Sequence, residues 1–202
     1  MTTKEIYPHQ LQDRKVSSKI LHPNFIPSLL HHDEALLELE KPFTAAKNVQ
    51  LACLPPQGME FTSEHCFATG WGKTSSDADS YHEILKRIPL PMVQRAECQN
   101  ALRTTTLGNR FRLHESFICA GGKEGIDMYR GDGGSPLVCP VEGVPNKYYQ
   151  AGIVAWGINF GQTDIPGVYV RTSSYSHWIN NELSKINYGP IDKRIDIWYW
   201  TK

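Results

Sequence analysis

The sequence predicts an all-β protein built from short antiparallel strands, with one helix just before mid-chain and a final helix near the C-terminal end. Three observations carry this. Short apolar runs recur between turn signals from Cys66 onward. Thirteen Pro and sixteen Gly punctuate the 202 residues, among Val, Ile, Thr and Tyr runs, a composition that favours strands and turns over long helices. Only two stretches read as helix. Strand rhythm alone leaves an antiparallel barrel and a sandwich both open.

The elements follow in order. Residues 13–21 alternate well enough for a strand. His22-Pro23-Asn24-Phe25 reads as a turn. Ala35-Leu36-Leu37-Glu38-Leu39 is a second strand, stopped by Lys41-Pro42, and Gln50–Leu54 runs into the breaker Pro55-Pro56. Further strands are expected in 66–72, 83–88, 117–120, 136–139, 148–157 and 167–170. One helix is expected over about Val93–Ala101, just after Pro91. The other is expected over about Tyr175–Ile186, with Ser173 or Ser174 as its N-cap. Residues 188–202 carry Gly189-Pro190, many charges and Trp198-Tyr199-Trp200, and read as a tail that docks by its aromatics.

Composition bounds the function. Lys plus Arg equals Asp plus Glu, at 21 each. No electrostatic footprint therefore points to nucleic acid or an anionic membrane surface. No run approaches the ~18 apolar residues that span a bilayer. The opening Met1–Tyr7 has no apolar h-region of a secretory signal. The five cysteines pull the other way. They show no metal-binding spacing, and they read as two disulfides plus an orphan, which implies an oxidising compartment. A secreted-type body without a signal leads to the expectation that the natural N-terminus lies upstream. His31-His32-Asp33 lacks a third ligand at fitting spacing, so no metal is expected, and nothing in the sequence calls for a cofactor.

The chemistry-bearing stretch is Arg130-Gly131-Asp132-Gly133-Gly134-Ser135-Pro136-Leu137. It resembles the Gly-Asp-Ser-Gly-Gly-Pro-Leu nucleophile loop of the chymotrypsin-like (S1) serine proteases, with glycine at the serine position. Cys66-Phe67-Ala68-Thr69-Gly70-Trp71-Gly72 resembles the family's Cys-x-x-x-Gly-Trp-Gly strand. Phe117-Ile118-Cys119-Ala120-Gly121 and Pro166-Gly167-Val168-Tyr169 also match. The resemblance runs from about Glu5 to Leu183. More narrowly, Arg103–Gly121 and the Gly-Asp-Gly-Gly-Ser-Pro-Leu signature resemble the non-catalytic clip-domain homologues of insects, cofactors of prophenoloxidase activation and melanisation.

The resemblance implies a trypsin-like double β-barrel with its first barrel incomplete, plus a C-terminal helix. Residues 1–63 would be the remnant of the first barrel, 64–174 the second barrel, 175–187 the helix and 188–202 the tail, together one partial peptidase domain over about 5–187. It places Gly133 at the nucleophile site and Asp33, in His32-Asp33-Glu34-Ala35-Leu36-Leu37, at the orienting aspartate. Asp127 falls where trypsin-like enzymes hold the carboxylate that binds Lys or Arg, with Gly131, Trp156 and Gly157 around the same pocket. Asp132 matches the aspartate that pairs with a freshly cleaved N-terminus. Two family disulfides would be Cys66–Cys139 and Cys98–Cys119. Cys53 matches a cysteine that bridges to an N-terminal segment, and its partner is not in this chain.

The departures shape the functional expectation. The family's Ala-Ala-His-Cys and Ile-Val-Gly-Gly segments are absent, which puts about four first-barrel strands outside the chain. Tyr129 and Phe160 replace the disulfide that braces the pocket. Nucleophilic catalysis needs a nucleophile, a base and a group orienting the base, and only the third is present. Ser135 lies two residues too far to replace the nucleophile, because even a 1 Å misplacement is costly; it reads as a small residue in a tight turn. Without its histidine, Asp33 reads as structural, while Asp127 reads equally as pocket base or solvated carboxylate. The expectation is an inactive, extracellular protease homologue acting as an adaptor in insect innate immunity, with prophenoloxidase or its activating protease as partner. The alternative is a trypsin-like serine endopeptidase represented by an incomplete chain.

Overall fold

The computed structural model describes residues 11–73, 80–123, 128, 130–158 and 162–186. Asp127, Tyr129, Phe160 and the Trp198-Tyr199-Trp200 tail lie outside the described residues. Two sheets form. A hairpin of β1 (Val16–Leu21) and β2 (Ala35–Leu39) stands alone. The larger sheet holds β3 (Phe67–Gly70), β4 (Lys86–Pro89), β5 (Met92–Val93), β6 (Phe117–Ala120), β7 (Pro136–Pro140), β8 (Tyr148–Trp156) and β9 (Gly167–Arg171). Every ladder is antiparallel. The protein is mainly β, with two helices, α1 (Arg95–Arg103) and α2 (Ser176–Lys185).

The strand order of the larger sheet is β4-β3-β7-β8-β9-β6-β5. Its first and last members are consecutive in sequence, separated only by Leu90-Pro91. The sheet therefore closes on itself through one bent segment. Proline suits a bend, because it fixes φ and offers no N–H to a ladder. The bend is tied on both sides: Leu90 N donates to Cys66 O at 2.9 Å, and Gly121 N donates to Pro91 O at 2.9 Å. Closure through this bend leaves only short edges, on β4 and β5, in this part of the molecule.

Alternation along β9 shows how the ring is covered. Tyr169 packs with Ala68, Leu90, Ala120, Leu137 and Ala151 on one side. Val168 and Val170 pack with Phe117, Leu102, Tyr175 and Ile179 on the other. A strand places successive side chains on opposite faces, so β9 is buried on both. Fully burying a side chain of this size contributes about 1.5–3 kcal/mol. Leu36 of the hairpin joins the outer cluster, with Ile20 and Leu30 against it, which docks the hairpin on the barrel.

Two helix boundaries differ from expectation. Helix α1 starts at Arg95, because Met92 and Val93 are held in a ladder opposite Ala120 and Cys119. It ends where Thr104 and Thr105 turn both their backbone N–H groups and their hydroxyls onto the carbonyls of Ala101 and Leu102, satisfying the last-turn acceptors. Neither Ser173 nor Ser174 caps α2. Both lie in a 3-10 turn, Thr172–Ser174, and Tyr175 is the N-cap, with no side-chain cap bond. Ser173 Oγ instead donates to Met59 O at 2.8 Å. The orphan His177 N–H donates to Gln57 Oε1 at 3.0 Å, a residue 120 positions away.

Candidate functional site at Gly133

Two disulfides frame the site. Cys66–Cys139 ties the residue before β3 to β7, and Cys98–Cys119 ties α1 to β6. Each such link typically contributes about 2–4 kcal/mol. Cys53 is a half-buried free thiol. Its backbone forms a parallel bridge to Tyr149, donating to Tyr148 O and accepting from Gln150 N.

Residues 130–135 make the turn that precedes β7. Gly131 has φ +101° and Gly134 φ +85°, in the region glycine enters at no steric cost. Gly134 N donates to Val154 O at 2.9 Å, and Val154 N donates to Ser135 O at 2.9 Å. These bonds pin the turn to β8. Ser135 N donates to Asp132 O at 2.9 Å, so Ser135 closes the turn as its small size suggests. At Gly133 itself, a Cβ would meet nothing within 4 Å. The position is an open ledge.

Asp132 points away from that ledge. It is 3% exposed, and its Oδ1 accepts from Gly72 N at 2.7 Å. A Cβ on Gly70 or Gly72 would collide with this carboxylate. The Gly-x-Gly of residues 70–72 is therefore the seat of the Asp132 side chain. One residue before Asp132, the ring of Tyr81 lies where a side chain on Gly131 would go. Lys73 N donates to Arg130 O at 3.1 Å, and Lys73 Nζ sits 5.9 Å from the Tyr81 ring centroid. The glycine spacing could have signalled the Asp132 seat; no local signal marks Tyr81.

Gly131, Gly133 and Trp156 line one cavity of about 210 Å³, with Met128, Val154 and Tyr169 among its walls. Gly157 follows Trp156 but is not a lining residue. Trp156 is fixed edge-on against Phe117, centroids 5.7 Å apart. No histidine is among the described residues that line the cavity. Asp33 is not brought there. It lines a separate depression beside Arg14, Phe25 and Glu34.

A group of histidines lies elsewhere, where the hairpin meets the barrel. His22, His31 and His32 come from the hairpin and His114 from the loop before β6. His31 and His114 stack with centroids 3.7 Å apart, and His22 and His32 stack at 5.3 Å. His32 Nδ1 and Tyr175 Oη are 3.0 Å apart. Burial first, then the neighbouring His32, lowers the pKa of His22 and of His31. Burial, then His31 and His32, lowers that of His114. Burial raises the Glu34 carboxyl well above its usual range. Among the described residues no group of three or more His, Cys, Asp or Glu is arranged to hold a metal ion.

Comparison with known families decides the identity of this framework. The trypsin family model matches residues 2–179. The chain belongs to the trypsin family. This trypsin homologue is 48% identical over 185 residues to phenoloxidase-activating factor 2 of Galleria mellonella, covering 91% of the chain and 60% of that protein. It is 40% identical over 182 residues to inactive CLIP domain-containing serine protease A28 of Anopheles gambiae, covering 90% and 46%. It is 43% identical over 172 residues to inactive CLIP domain-containing serine protease A3 of Aedes aegypti, covering 84% and 35%. These relatives make it a homologue of the clip-domain branch. The trypsin homologue spans between about a third and three-fifths of the length of these relatives. No described helix is long and apolar enough to cross a membrane.

Proposed function

We propose that this protein is a catalytically inactive trypsin homologue that acts as a binding or adaptor module in an extracellular proteolytic cascade. Glycine at position 133 carries the reading. The turn that presents a nucleophile in this family is built, and its presenting residue has no side chain. Removing the serine of a triad typically costs ~10⁶ in turnover. The absence of a histidine among the described lining residues of the cavity, and the position of Asp33 in a separate depression, agree with this. Two relatives that carry the word inactive in their names support it. Two disulfides support an extracellular setting, since such links persist in oxidising compartments.

The name of the Galleria relative supports a place in phenoloxidase activation. Prophenoloxidase, or the protease that activates it, is then the partner. The cavity at Gly131, Gly133 and Trp156 serves as a contact for a peptide side chain, and Asp127 would decide whether that side chain is basic. Recombinant full-length protein should show no labelling by an active-serine fluorophosphonate and no hydrolysis of Arg or Lys esters. Labelling together with turnover would overturn the assignment and return the protein to the endopeptidases.

A further inference from the structure

The four imidazoles join two separately built parts of the molecule. His22, His31 and His32 belong to the β1–β2 hairpin. His114, Tyr175 and Trp178 belong to the barrel and its C-terminal helix. Contacts across the seam are close: His31 to His114 at 3.7 Å, His22 to Tyr175 at 5.0 Å and His22 to Trp178 at 4.9 Å between centroids. Few other hairpin side chains reach the barrel core, chiefly Leu36, Ile20 and Leu30.

Two of these rings are held in a form that excludes a second proton. Asn24 N donates to His22 Nδ1 at 3.3 Å. Ser116 N donates to His114 Nδ1 at 3.2 Å, and Ser116 Oγ lies 2.8 Å from the same atom. A backbone N–H can only donate. Both Nδ1 atoms are therefore acceptors, and protonating either would set a proton against an N–H and break the bond. Stacked imidazolium rings would also repel each other across the seam.

We propose that the imidazole cluster is a pH-sensitive clasp, whose contribution to holding the β1–β2 hairpin on the barrel is present at neutral pH and lost in mild acid. The other titratable or charged groups facing the cluster are Asp33 and Glu34 on the hairpin, Glu115 beside His114, Arg95 on α1 and the neutral phenol of Tyr175 before α2. Glu115 favours a charged His114, whereas Arg95 and the neighbouring histidines oppose it. The sign follows from the folded state. His22, His31 and His114 lie below the ordinary 6.5, so their contribution is complete above that pH and lost as pH falls through the lower folded values. Glu34 acts oppositely. Raised above the ordinary 4.5, its contribution is complete below that value and lost as pH rises through its raised folded value.

Hydrogen exchange of the full chain, corrected for intrinsic rates, tests the clasp. In Glu34→Gln, which removes the opposing titration, peptides covering 16–39 should lose roughly tenfold protection between about pH 7.5 and about pH 5.5. Peptides covering β6–β9 should stay unchanged. In a His22→Asn, His114→Asn variant, the side-chain oxygen replaces Nδ1 as acceptor and the acid loss should shrink severalfold. Equal hairpin protection at both pH values in the Glu34→Gln chain would overturn the proposal. If the double variant does not fold, imidazole proton resonances of the wild-type chain decide. Titration of His22 and His114 below 6.5 supports the clasp, and titration at or above 6.5 sinks it.

Discussion

At the scale of single residues, Gly133 and Asp132 divide the turn between an open position and a filled one. Space for a Cβ at Gly133 makes Gly133→Ser a mild change to the fold, within about 0.5 kcal/mol of the parent. It should nevertheless show no ester hydrolysis, because no histidine is among the described residues lining the cavity and Asp33 lies in a separate depression. Appreciable turnover by that variant would mean that a base reaches the ledge after all. Gly72 is the opposite case. Gly72→Ala drives a methyl into the buried Asp132 carboxylate and should cost about 2 kcal/mol or more in chemical denaturation. Asp132→Ala added to it should recover part of that loss, since the two residues touch. Strict additivity of the two losses would show that the collision is not the cause. The tight turn before β7 was legible from the motif alone. The Gly70-x-Gly72 spacing marks a close approach, but not which group makes it, because the carboxylate lies 60 positions from Gly72.

Among elements, the strands predicted best were those whose apolar run ends at sharp turn signals. Residues 35–39 and 117–120 match β2 and β6 residue for residue. Leu90-Pro91 was the hardest signal, since a proline that usually ends a strand here bends one and closes the barrel. The start of α1 was displaced for a related reason: ladder bonds claimed Met92 and Val93 before the helix could. The meeting of His114 with His31 and His32 had no sequence signal, because it depends on how the hairpin docks. Disulfide pairing offers a direct check at this scale. Native protein treated with a thiol reagent should titrate one thiol per chain, that of Cys53. A Cys98→Ala, Cys119→Ala variant should lose roughly 2–4 kcal/mol, read from the denaturation midpoint. Three reactive thiols in the native chain would mean that one of the two links is not formed.

Over the whole molecule, the two sheets differ in how completely they are satisfied. The larger one is a ring whose strand β9 is covered inside and out. The hairpin is a pair of strands beside a depression of about 970 Å³ lined by Val16, Leu21, Phe25, Leu37 and Phe43, with Leu21 61% exposed. Limited proteolysis should respect this division, sparing a core of roughly residues 64–185 while cutting within the first 50 or so. Cleavage proceeding evenly through both would show that they open as one unit. The bend at Leu90-Pro91 has a consequence for assembly. The ring offers only the short edges of β4 and β5, of four and two residues, along which another chain could be added. In concentrated solution, intermolecular strand growth would therefore recruit β1 and β2, and fibres seeded by them would carry intact barrels along their flanks as folded beads.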